Sequence, residues 1–192
     1  MPQPLPTFKN MKTAFPGSER ILIHSVIDAL LQGEILLNEI SDEAFTRKVS
    51  VAFDASIGGH YRHCLDHFRN LLQSATGHDL NYDNRERGTL IEKDRFAALN
   101  ATRELREGFE RLDPLVLLRP LTVTCKTSYA TEGSQISPST FGREIMYSVA
   151  HAVHHYALIG VMCGIMGLKL PPGFGVAPST LKHHAEGAQA AA

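Results

Sequence analysis

The sequence predicts an all-α fold, a four-helix bundle with a short β-hairpin inserted before the last long helix. Three observations carry this expectation. Four long stretches repeat apolar residues at helical spacing, each bounded by capping or breaking residues. One stretch, 121–129 (LTVTCKTSY), alternates β-branched and polar residues, as a strand does. At 192 residues the chain can bury one sizeable core, and no internal repeat or strong boundary divides it.

The elements follow in order. Residues 1–15 are polar and proline-punctuated, an extended N-terminal lead-in. Pro16-Gly17-Ser18-Glu19 starts the first helix, with Ser18 as N-cap and Ile21, Leu22, Val26, Leu30, Ile35 and Leu37 on its apolar face. Residues 41–50 read as a polar connection. Asp54-Ala55-Ser56 opens the second helix, with apolar Ile57, Cys64, Leu65, Phe68, Leu71 and Leu72, and Gly77 ends it. The segment 78–88 (HDLNYDNRERG) is a polar, turn-rich loop. A third helix runs from about Thr89 to Leu112, and Pro114 and Pro120 bracket a break. Residues 121–129 form one strand, Glu132-Gly133 the turn, and Gln135-Ile136-Ser137 the return. Pro138-Ser139-Thr140 caps the last long helix, about 139–167, and Pro171-Pro172-Gly173 stops it. The single domain spans 16–182, and 183–192 is a disordered tail.

Composition narrows the partners. Hydrophobic residues make up 43% and charged residues 20%, ordinary for a soluble globular chain. A net charge of −1 offers no field to attract nucleic acid, and no helix-turn-helix or basic face is evident. The N-terminus lacks a basic start followed by an apolar run, so no signal peptide is expected. The longest apolar stretch, Ala157 to Leu170, is too short to span a bilayer. Cys64, Cys125 and Cys163 are odd in number and without a CxxC pair, which favours a reducing, cytoplasmic location over a disulfide framework.

Histidine is the unusual residue, with ten in the chain and six of them in two short windows, 60–67 and 151–155. His151 and His155 are four apart on the last helix, so both rings project from one stripe and can reach a common metal ion. HExxH zinc proteases use this spacing, but here Ala-Val-His intervenes and the glutamate base is missing. His154 is rotated away and reads either as a residue supporting the ligands from behind or as a packing residue. On the second helix His60, His63 and His67 recur at three- and four-residue spacing. One of them completes a facial His₃ set that leaves positions open, and helical geometry alone does not separate His63 from His60. Around them, Glu144 and Tyr147 share the stripe of His151 and are candidates for proton transfer. Asp66 is a candidate to orient an imidazole. Arg85 and Arg87 are candidates to clamp a carboxylate of a small-molecule substrate. Cys64 and Cys163 lie in apolar helical sequence and read as packing. A carboxylate-bridged di-iron site is set aside, because the chain has no ExxH motif.

SIGGHYRHCLDHF (56–68) and SVAHAVHHYALIG (148–160) resemble the DinB-like superfamily of metal-binding four-helix bundles, with a likeness that runs from about Ser18 to Leu168. That family has one histidine in its second helix, ending a stretch like S-I-G-x-x-x-x-H, and an HxxxH pair in its fourth. The pattern falls on His63, His151 and His155, with His60 as the alternative first ligand. The resemblance implies a bound divalent ion, zinc or nickel or else iron, and a homodimer. It implies either a metal-dependent enzyme that activates a thiol or water for transfer to a small electrophile, or a non-catalytic metal-binding bundle with a stress-related or interaction role. Related bundles also form one of two domains in the iron-dependent sulfoxide synthases of ergothioneine biosynthesis.

Overall fold

A computed structural model describes residues 18–77, 79–130 and 132–190. The lead-in over 1–15 lies outside them. Four long helices dominate: α1 (Ser18–Glu39), α3 (Ile57–Ser74), α4 (Arg95–Glu110) and α5 (Phe141–Ile165). A short α2 (Asp42–Thr46) and α6 (Pro178–Ala190), exposed over 178–187, complete the helices among the described residues, and α6 runs through most of the 183–192 stretch expected to be a disordered tail. The strands are β1 (Asp79–Asn81), β2 (Pro120–Cys125) and β3 (Gln135–Thr140).

The fold class is therefore mixed α and β, which corrects the all-α four-helix bundle expected from the sequence. The three strands form one sheet in the order β1-β2-β3. β2 and β3 pair antiparallel, with Pro120 opposite Thr140 and Cys125 opposite Gln135. β1 adds in parallel, with Leu80 opposite Val123. The polar loop expected at 78–88 thus contains a strand. Only its partner makes it one: Leu80, its single apolar side chain, is buried while Asp79 and Asn81 face solvent. The polar connection expected at 41–50 also holds structure. Ser41 caps α2 by accepting from the Ala44 N–H, and Phe45 anchors that turn in the core.

The long helices pack in a ring in which α1 contacts α4 and α5, and α3 contacts α4 and α5. The ring encloses a core rich in aromatic rings. Tyr61 on α3 stacks parallel to Tyr156 on α5 with centroids 6.2 Å apart. Their hydroxyls are satisfied inside the core, Tyr156 donating to the Ala29 carbonyl at 3.0 Å and Tyr61 sharing a 2.8 Å hydrogen bond with Thr102. Phe68 meets Phe109 edge to face. Gly33 on α1 faces both tyrosine hydroxyls, so any larger residue there would overlap them.

Caps set the starts of the helices. Ser56 accepts from the Gly59 N–H ahead of α3, and Asp94 accepts from Ala97 ahead of α4. Thr140, the last residue of β3, accepts from Arg143 and starts α5 directly from the sheet. The third helix expected from Thr89 begins only at Arg95, because residues 90–92 form a separate 3₁₀ turn. That turn lies against Gly58, whose missing side chain lets the Glu92 carbonyl approach α3.

Among the described residues, two helices are long and apolar enough to cross a membrane by length and composition, over Arg20–Glu39 and Phe141–Ile165. The second includes most of the stretch expected to be too short. Each packs one face into the ring and leaves apolar side chains exposed on the other, Ile21 and Ile35 on α1 and Met146, Val161 and Ile165 on α5.

Candidate metal centre

The interface of α3 and α5 gathers the histidines. His63 projects from α3, and His151 and His155 project from one stripe of α5, with one ring nitrogen of each within 4.8 Å of the others. His63 Nε2 and His151 Nε2 are 2.9 Å apart. The three ring centroids are 4.6 to 4.9 Å apart in pairs, and each pair meets nearly edge to face. All three are half-buried.

His60 lies outside this triad. Its Nδ1 is 2.9 Å from His155 Nδ1, so it holds the back of a triad ring. A proton on His155 Nδ1 and accepted by His60 leaves His155 Nε2 free to ligate. His154 is exposed, and its ring meets that of His155 edge to face with centroids 5.4 Å apart.

His67, one turn beyond His63 on the same stripe, joins the cluster as well. It is 5% exposed and stacks on His151 with centroids 4.1 Å apart and on Tyr82 with centroids 4.7 Å apart. Its buried Nδ1 has no hydrogen-bond partner among the described residues. Its place on the 60/63/67 stripe is the signal that points to it.

Burial and mutual repulsion keep these rings neutral. His63, His67 and His155 are each pushed down to about 3, first by burial and then by neighbouring imidazoles. His60 and His151 are lowered for the same first reason, with His154 adding repulsion. Neutral imidazole is the ligating form.

The other candidates fall in different places. Glu144 is buried but turns away from the triad. Its carboxylate accepts from Tyr82 Oη at 2.8 Å, from Ser139 Oγ and from Arg143. Tyr147 stacks on His151 with centroids 5.8 Å apart. Asp66 holds Arg62 and Arg69 rather than an imidazole. Cys64 and Cys163 are buried free thiols.

Arg85 and Arg87 line a cavity of about 290 Å³ with Ala55, Gly59, His60, Arg62, His63 and His155. Asn70 fixes the loop that carries them, donating to the carbonyls of Asn81 and Asn84. Arg85 Nη1 is 3.2 Å from His63 Nδ1. A second cavity of about 340 Å³ lies between the sheet and α5, lined by Tyr82, Val123, Cys125, Ser139, Glu144 and Tyr147 among others.

No family model matches this chain, and no solved structure matches it. Over 104 residues it is 38% identical to FK506-binding protein 5 of Rhizopus delemar, a stretch covering 54% of this chain and 27% of that protein. The chain thus spans about a quarter of the length of the curated relative it matches. This comparison overturns the DinB-like expectation, since the likeness is to a protein named for FK506 binding and no family model supports the other assignment. The DinB-like readings of function, thiol or water transfer and a stress-related metal-binding bundle, fall with it. The histidine cluster is left to be judged on its own chemistry.

Proposed function

We propose that His63, His151 and His155 bind one divalent transition-metal ion. The reading is supported by the 2.9 Å separation of the His63 and His151 Nε2 atoms, with His155 in reach. Nitrogens that share an ion at about 2.0–2.1 Å are themselves about 3 Å apart, so the His63–His151 pair is already at that spacing and the triad, within 4.8 Å overall, would close up around the ion. The donor chemistry fits: three neutral imidazoles, one positioned by His60, and no fourth protein ligand among the described residues. Three imidazoles suit zinc, nickel or iron alike. Such an ion supplies Lewis acidity toward an oxygen ligand at its open positions. The three free cysteines support a reducing cytoplasm as the compartment we propose. Isothermal titration of metal-free protein with zinc tests the reading. One site per chain is expected, and binding that is no stronger than in a variant lacking the triad would refute it.

A second reading comes from the relative, whose printed name says that it binds FK506. On this chain the cavity between the sheet and α5 is the candidate site, with Tyr82, Val123 and Tyr147 as its apolar and aromatic wall and Ser139, Arg143 and Glu144 as its polar one. Titration with FK506, read by changes in tyrosine fluorescence, tests it. Saturable binding lost on Tyr147→Ala would favour this reading.

A further inference from the structure

We infer that Arg85 is a latch on the histidine triad, released when an ion binds, and that the freed guanidinium joins Arg87 to hold a carboxylate ligand beside the ion. The inference rests on the metal reading above and adds a ligand class and a coupling to it.

The hydrogen bonds carry the argument. A guanidinium only donates, so at 3.2 Å from Arg85 Nη1 the His63 Nδ1 must accept. A neutral imidazole has one N–H, which then sits on His63 Nε2. That proton points at His151 Nε2, 2.9 Å away, which accepts it. In this arrangement the His63 Nε2 lone pair is not available. For Nε2 to ligate, the ring proton must move to Nδ1, with no net proton gained or lost. An N–H on Nδ1 would then face the Arg85 guanidinium, donor against donor. The Arg85 contact and ligation through Nε2 therefore exclude each other.

Where Arg85 goes is set by the cavity. Three arginines line it, and no Asp or Glu does. Arg62 is already held by Asp66 and Glu92. Among the described residues neither Arg85 nor Arg87 has a carboxylate partner. A released Arg85 thus adds a second unpaired guanidinium next to the open side of the triad. Planar guanidinium forks match a carboxylate in both shape and charge. Because coupling between ligands is reciprocal, a carboxylate that uses Arg85 must also tighten metal binding.

The test uses the full chain, cobalt(II) as the metal, acetate as the carboxylate probe and chloride as the ionic-strength control. Cobalt affinity is read by competition with a coloured chelator, and acetate binding by the visible absorption of the bound cobalt. Arg85→Met and Arg87→Met each remove one cation from the same cavity, but only the first removes the contact with His63. Without acetate, Arg85→Met is expected to bind cobalt about two- to tenfold more tightly than the wild type, the effect of one lost competing hydrogen bond, and more tightly than Arg87→Met. Acetate is expected to tighten cobalt in the wild type and not in Arg85→Met. Equal cobalt affinities in the two variants, or acetate coupling that survives Arg85→Met, would overturn the latch while leaving the metal site standing. A wild type that takes up no cobalt would overturn both.

Discussion

His63 Nε2 and His151 Nε2 face each other at 2.9 Å across the interface of α3 and α5. Sequence positions 88 apart are held there because α3 and α5 pack side by side in the ring, with Cys64, Leu65 and Phe68 of α3 and Ala152, Tyr156 and Ile159 of α5 buried around them. The apolar core thus fixes the geometry of the polar cluster.

Removing His60 is expected to weaken metal binding without abolishing it. His60 touches His155 Nδ1 rather than the shared centre, and loss of such an orienting partner costs about 10- to 100-fold in metal affinity. Chelator competition on His60→Phe checks this. Loss as complete as in His155→Ala would make His60 a ligand instead.

Stability of the metal-free protein is expected to fall as the pH drops below about 6.5. The unfolded chain protonates its histidines near that value. The folded chain keeps His63, His67 and His155 neutral down to about 3. Between these limits the unfolded state binds more protons, so stability rises with pH and is lost on acidification. Thermal melts at pH 7.5 and pH 5 check the sign, and a His63→Gln, His67→Gln double variant should flatten the difference.

Gly58→Ala is expected to destabilise the fold by about 1–3 kcal/mol, as overpacking does. A methyl group there would overlap the Glu92 carbonyl, which is backbone and cannot swing aside. Urea unfolding measures the change, with Gly59→Ala as a control, since its methyl would meet only Ser56 Oγ at 3.4 Å.

Tyr82→Phe is expected to cost about 1–3 kcal/mol, because it takes one donor from a buried carboxylate. Glu144 is 1% exposed and would keep only Ser139 and Arg143. Urea unfolding of Tyr82→Phe, with Tyr129→Phe at an exposed position as control, measures the difference.

The long helices were legible because each repeats apolar residues at helical spacing, and the position of Glu144 was not because it depends on the sheet. β1 has one apolar side chain in three residues, and only parallel pairing to β2 makes it a strand. That pairing also brings Tyr82 against Glu144, 62 residues away, and no local pattern announces it. The spacing of His151 and His155 placed them on one stripe, whereas the choice between His63 and His60 needed the rotation of α3 against α5. The stretch S-I-G-x-x-x-x-H ending on His63 resembles a family pattern, but its glycine, Gly58, has a packing reason of its own beside Glu92.

The most direct test of the central claim is zinc stoichiometry and affinity in the wild type beside His63→Ala, His151→Ala and His155→Ala, with folding checked by circular dichroism. One zinc per wild-type chain is expected, with a loss of affinity in each folded variant larger than the about 10- to 100-fold that losing an orienting partner costs. Zinc binding unchanged in any one of the three would contradict it.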